Sequence, residues 1–313
     1  MAYLKAAVFA LFLLGLFGCS ASNDNALVGE RLDLPTSATV SGIFFVDDAI
    51  GFVATASSDT YQTTDGGKTF TKLAMDGCNP SDFYFLNDDI GFAYGRSGCL
   101  ARTEDGGRTW SHIAVDSGYD LRDMLFLDKG RGFVVGAAST PAGETAGVIG
   151  MSGDKGLTWD FQVTEHAAFR SLSMVPPSHV WILGADGITY STSKGESWEH
   201  YGARGDTIRA MAFNDIIHGW SAGDHGTLRN SSDGGWSWTD KARLSTRNLT
   251  CLTSPDLGIV YLGGDRVLAM TKTYGRIWSS DTLNYMTTFC DCQSVGKDIF
   301  FAGSGGTIIR IKR

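Results

Sequence analysis

An eight-residue phrase recurs along this chain at nearly constant spacing. It reads TTDGGKTF at 63–70, TEDGGRTW at 103–110, SGDKGLTW at 152–159, STSKGESW at 191–198, SSDGGWSW at 231–238 and TKTYGRIW at 271–278. The third residues are Asp65, Asp105, Asp154, Ser193, Asp233 and Thr273, so the steps are 40, 49, 39, 40 and 40. A fixed period near 40 is the signature of a repeat architecture, in which each unit buries its core only against its neighbours. A second motif precedes each phrase: an apolar run, a polar turn and another apolar run, as in IFFVDDAIGFVAT (43–55) and MAFNDIIHGWSAG (211–223). Seven such pairs end with CQSVGKDIFFAG at 292–303.

Two strands from that pair, a third before the phrase and a fourth after it make four strands in about 40 residues, the content of one propeller blade. The expected fold is therefore an all-β, seven-bladed β-propeller. The last unit stops one strand short at Arg313, while LVGERLDLP at 27–35 has no partner of its own. Pairing the two would close the ring and remove an exposed edge. The phrase itself predicts a turn: its Asp and Ser/Thr can bond the amides of their own loop, its glycines allow backbone angles barred to other residues, and its aromatic packs between blades. Ser193 and Thr273 stand where other copies have Asp, which suits a fold element and not a catalytic carboxylate.

The N-terminus predicts an address. Residues 1–18 carry one lysine, then an apolar stretch over 6–17 too short to span a bilayer, and read as a lipoprotein signal peptide. Leu16, Phe17, Gly18 and Cys19 resemble a bacterial lipobox, which implies cleavage before Cys19 and acylation there. The alternative is plain secretion with cleavage after Gly18. Residues 19–26 would be a lipidated tether and 27–313 the propeller. Ser20 after the cysteine favours the outer membrane, facing the periplasm or the cell surface, over retention at the inner one. The net charge of -8 and pI near 5.2 argue against nucleic acid as partner.

The boxes resemble those of the Asp-box, or bacterial neuraminidase, repeat superfamily. HGW (218–220), GDHGTLRNSSDGGWSW (223–238) and the N-terminal LP that leads into the first blade resemble more narrowly the photosystem II stability and assembly factor propellers. That resemblance implies a non-enzymatic seven-bladed propeller, without cofactor, that helps membrane-protein subunits assemble and whose photosynthetic members carry an arginine-rich face. The implied partner is a membrane protein or its acidic segment, and the propeller is expected to act as a monomer.

Arginines can be sought in this chain by register. Ten residues before the glycine, or its equivalent, that opens each second strand stand Ser41, Ser81, Arg122, Arg170, Arg209, Asn248 and Thr288, expected at the mouth of the central channel. Arg96, in the turn between strands 2 and 3 of the second blade, opens on the same face. So does the insert STPAGETAGV at 139–148, which makes the 49-residue step. Long loops on a rigid scaffold often carry function. Arg96, Arg122, Arg170 and Arg209 are thus candidate partner-binding residues; the alternative is solvated side chains paired with nearby carboxylates.

The competing class is a carbohydrate-active enzyme or lectin of the sialidase or glucanase type; a sialidase needs three arginines, a Tyr nucleophile with a Glu and an acid/base Asp, and other glycosidases need two carboxylates facing one sugar. Asp186, Asp224, Asp265 and Glu144 lie toward the arginine face, but Asp beside Gly is ordinary turn chemistry. The six histidines, 112, 166, 179, 200, 218 and 225, show no paired ligand spacing, so no metal site is expected. Cys78 and Cys99 fall on one face, where an oxidising compartment would join them. Strand parity allows one bridge from Cys251 to Cys290 or Cys292, leaving a thiol over.

Overall fold

The computed structural model describes residues 27, 29–139, 143–202, 207–281 and 286–313; the expected signal peptide, Cys19 and the expected tether lie outside these. The chain forms seven four-stranded antiparallel sheets, each a blade. Six are built in chain order, as in blade 1, with strands Val40–Phe45, Gly51–Thr55, Thr60–Thr63 and Thr71–Leu73. In the seventh, Gly29–Asp33 pairs with Thr307–Lys312, Leu32 opposite Ile308, so the outermost strand of the last blade comes from the start of the propeller. Leu27 and Leu32 are buried in the clusters that flank this blade.

Each second strand is almost wholly buried, because it packs between neighbouring blades on both faces, and its sequence is correspondingly apolar throughout. The first strands line the channel and show the half-buried alternation of a sheet with one wet side.

The box turns work by side-chain capping of their own loops. Thr63 donates to Asp65 Oδ1 at 2.8 Å; Asp65 accepts the Thr69 amide at 2.9 Å and the Thr69 hydroxyl at 2.7 Å; the Gly67 amide donates to Thr63 Oγ1 at 2.8 Å. The same set recurs around Asp105, Asp154 and Asp233. Ser193 and Thr273 keep the pattern with a hydroxyl, each accepting an amide four residues on at 2.9 Å. These bonds hold Asp65, Asp105 and Asp154 down at a pKa of about 2, the Thr at the seventh place contributing most.

The box aromatic locks one blade to the one before it. Trp110 stands edge-on to Phe52, Trp159 to Phe92 and Trp198 to Phe133, with centroids 6.3, 6.1 and 6.0 Å apart. The second glycine of the box must be bare for this to happen: at Gly156, φ is +74° and a Cβ would lie 2.3 Å from the Phe92 ring.

Box turns touch the turns between strands 1 and 2, as in Gly66 to Ala49 and Gly234 to Ile217. Turns between strands 2 and 3 touch the starts of first strands, as in Asp224 to Thr207 and Ser304 to Thr288. The disc therefore has a box face and an opposite face that carries the strand 2 to 3 turns.

Candidate functional site

Every first strand carries a register shift near its start, a β-bulge that leaves one residue unpaired beside the channel. The bulged residues are Ser41, Ser81, Arg122, Arg170, Arg209, Thr250 and Cys290. The sequence register thus holds for blades 1 to 5 and is corrected for blades 6 and 7, where Thr250 and Cys290 take the places expected for Asn248 and Thr288. The cause is turn length. Gly258 sits inside a tight turn between the paired Asp256 and Ile259, with φ +79°, instead of opening the second strand. Blade 7 turns as tightly, pairing Val295 with Asp298.

The bulge sends each side chain sideways. Ser41 donates to the Ser81 carbonyl at 2.9 Å, Arg122 to that of Phe169 at 3.2 Å and Arg170 to that of Ile208 at 3.4 Å; Thr250 bonds the Phe289 carbonyl. One job of this position is therefore to tie adjacent first strands, which have no ladder between them. A hydroxyl spends its only donor on that bond. A guanidinium has five, so Arg122 and Arg170 retain donors for the channel.

All four predicted arginines, Arg96, Arg122, Arg170 and Arg209, line one cavity of about 700 Å³ at the channel mouth. Their charges are not equivalent. Arg209 is bonded through Nε to Asp224, which the sequence assigned to turn formation alone; that pairing lowers the Asp224 pKa. Arg122 has its pKa depressed, first by burial and then, against the pull of Asp120, by the positive charges of Arg170 and Arg96. Arg96, Arg122 and Arg170 are accordingly a cluster of like charges that an anion would relieve.

Below them stands a feature the sequence reading missed. Asp82, Asp123 and Asp291 each follow the bulged residue of their blade and line the same cavity, where blades 1, 4, 5 and 6 have Gly42, Ser171, Ala210 and Cys251. Asp291 accepts the Ile43 amide at 2.9 Å and Asp123 the Leu172 amide at 2.6 Å, each reaching the next blade. Asp82 accepts the Tyr94 hydroxyl at 3.0 Å. Burial raises all three, Asp123 to about 7 and Asp291 to about 6, with Asp291 also pushing up Asp82. The same register count that found the arginines, moved one residue on, would have found Asp82 and Asp123 but not Asp291, because the count slips in blade 7. The mouth is thus polarised along its axis, with guanidiniums at the rim and reluctant carboxylates beneath.

Cys78 and Cys99 form a disulfide, with Cα atoms 4.9 Å apart, that joins the entry of blade 2 to the turn carrying Arg96. The allowed bridge between Cys251 and Cys290 or Cys292 is not formed: all three are free thiols beside the channel. Burial, then the adjacent Cys251, hold the Cys292 thiol well above its usual value. Asp265 lies in its turn, accepting from Thr288 Oγ1 at 3.2 Å. Of the insert, 140–142 lie outside the described residues; the flanking strands, Gly132–Ser139 and Thr145–Ser152, extend that hairpin well past those of other blades. The histidines left unpaired by sequence spacing are not all apart, since His166 and His200 stack across blades 3 and 4 with centroids 3.9 Å apart.

Residues 22–121 match the family model described as Photosynthesis system II assembly factor YCF48. The fold resembles the solved structure "YCF48 bound to D1 peptide", at 22% identity and TM-score 0.73 over 91% of this chain and 95% of that one. It also resembles YCF48 from Cyanidioschyzon merolae, at 16% identity and TM-score 0.75 over 92% and 99%. Virginiamycin B lyase from Staphylococcus aureus shares the fold as well, at 10% identity and TM-score 0.73 over 92% and 99%. No curated protein matches the chain. By sequence in its N-terminal third and by fold throughout, the chain resembles the photosystem II assembly factor-like propellers.

Proposed function

We propose that this propeller is a non-enzymatic scaffold of the cell envelope, lipid-anchored through Cys19, that holds a segment of a membrane protein at the arginine-bearing mouth of its channel. The observation that carries the reading is the convergence of Arg96, Arg122, Arg170 and Arg209 on one cavity. Planar guanidinium forks suit carboxylates in an extended peptide, or its terminal carboxylate, better than lysines would. The likeness to a propeller solved with a D1 peptide supports a peptide ligand. Arg96, Arg122 and Arg170 would bind, while Arg209, engaged by Asp224, would shape the rim. With the chain net negative, such a patch orients an acidic segment as well as holding it.

The test is charge reversal. Wild type should recover a membrane protein from detergent-solubilised membranes of its source, and less of it at raised salt. A folded Arg96→Glu/Arg122→Glu/Arg170→Glu variant should lose it. Equal recovery of the same protein by both would reduce the arginines to ties between blades.

A further inference from the structure

We propose that His166, Asp186 and His200 form a binding site for a divalent transition-metal ion of the zinc class, apart from the channel and independent of the peptide-binding reading. His166 lies on the last strand of blade 3, Asp160–Ala167; His200 lies on the last strand of blade 4, Glu199–Gly202; Asp186 lies in the blade 4 turn between His179–Gly184 and Gly187–Ser191. The ligand atoms of the three residues all fall within 4.8 Å of one another. His166 Nδ1 is 3.7 Å, and His200 Nε2 3.9 Å, from Asp186 Oδ2. With ligand bonds of about 2.0–2.2 Å, two donors on one ion stand roughly 3.3 Å apart at a tetrahedral angle and roughly 4.2 Å when opposed, so these spacings already bracket an ion. The rings are stacked within 14° of parallel, and a turn of one ring about its Cβ–Cγ bond converges their nitrogens.

Two further observations point to a ligand site. Asp186 is fixed in place, its Oδ2, the oxygen nearest both rings, accepting the Ala167 amide at 2.9 Å, while its Oδ1 is buried and has no hydrogen-bond partner among the described residues. Gly184 makes room for that oxygen, since a Cβ there would lie 2.9 Å from it. His200 Nδ1 sits 3.1 Å from the hydroxyl of buried Thr189, an outer-shell contact that orients the ring and, with Nδ1 as donor, leaves Nε2 free to bind metal. Two imidazoles and one carboxylate leave a fourth position for water or a partner's side chain, and His200 also borders a cleft of about 570 Å³ between blades 4 and 5.

The extended hairpin of blade 3 builds this site. The last strand of that blade runs eight residues where its counterparts in blades 1, 2 and 5 run two or three, and His166 lies in its outer part.

The test titrates Zn²⁺ into the full chain, purified in detergent without a histidine tag and stripped by chelator, using calorimetry. Co²⁺ absorption reports the ligand type. Wild type should take up one ion per chain and melt at higher temperature with Zn²⁺ present. His200→Ala and His166→Ala should weaken binding by roughly 100-fold, and Thr189→Val by about 10-fold or more, with the metal-free melting profile kept. Cys251→Ser/Cys292→Ser should bind as wild type does. No saturable uptake, unchanged affinity in the histidine variants, or a thiolate charge-transfer band from Co²⁺ would each overturn the proposal.

Discussion

Replacing Gly156 by alanine tests how the blades are locked. The residue has φ +74°, a backbone conformation that costs an L side chain about 1–2 kcal/mol, and an added Cβ would lie 2.3 Å from Phe92 Cζ. Phe92 cannot yield freely: it is fully buried, stacked on Phe126 at 5.2 Å and edge-on to Trp159 at 6.1 Å. Forcing an extra carbon into such packing costs about 1–3 kcal/mol more. Gly305 supplies the control, because its φ is +70° and nothing lies within 4 Å of the Cβ it would gain. Gly305→Ala should therefore lose only the conformational share, about 1–2 kcal/mol, and Gly156→Ala about 2–5 kcal/mol in all. Urea unfolding followed by tryptophan fluorescence measures both, with the slope checked for constancy. Equal losses in the two variants would refute the claim that the second box glycine is there for the neighbouring blade's ring.

Stability should have an acid-side optimum. Asp123, raised to about 7 by burial, contributes stability that is present below pH 4 and lost as pH rises through 7, at most about 4 kcal/mol at 1.36 kcal/mol per pKa unit, whereas Asp65, Asp105 and Asp154, held at about 2, contribute stability lost as pH falls below 4. Asp123→Asn should flatten the decline between pH 4 and 7, and a pH series of melting temperatures that keeps its slope in the variant would count against this assignment. Deleting 27–35 removes the strand paired with Thr307–Lys312 and exposes that strand as an edge, so the protein should oligomerise or unfold without cooperativity; an unchanged sedimentation and melting profile would contradict it. Cys19→Ser should abolish fatty-acid incorporation and leave a precursor or a soluble protein, and continued labelling would show that the anchor lies elsewhere.

What the sequence made legible follows from what repeats. Six boxes and seven strand pairs give the fold, since each box carries its own hydrogen-bonding partners within eight residues and needs no tertiary context. Arg122, Arg170 and Arg209 could be placed because blades 3 to 5 keep one spacing between bulge and second strand. Blades 6 and 7 broke the count at Gly258 and Gly296, whose tight turns shorten it. The pairing of Arg209 with Asp224, fifteen residues away, depended on where a bulge aims its side chain. The meeting of His166 with His200 was further out of reach. It joins the last strands of two blades, and it exists only because an insert lengthened one of them.

The central claim is that the arginine face, and not the box face, meets a membrane protein. Site-specific photo-cross-linking in the native cell measures this directly, with the cross-linking residue placed at Ser97, beside Arg96 in its turn, or at exposed Lys68 in a box. Adducts from position 97 should contain an integral membrane protein, disappear when Arg96, Arg122 and Arg170 are changed to Glu, and be absent from position 68. Membrane-protein adducts from position 68 alone, or adducts from position 97 that survive the charge reversal, would contradict the claim.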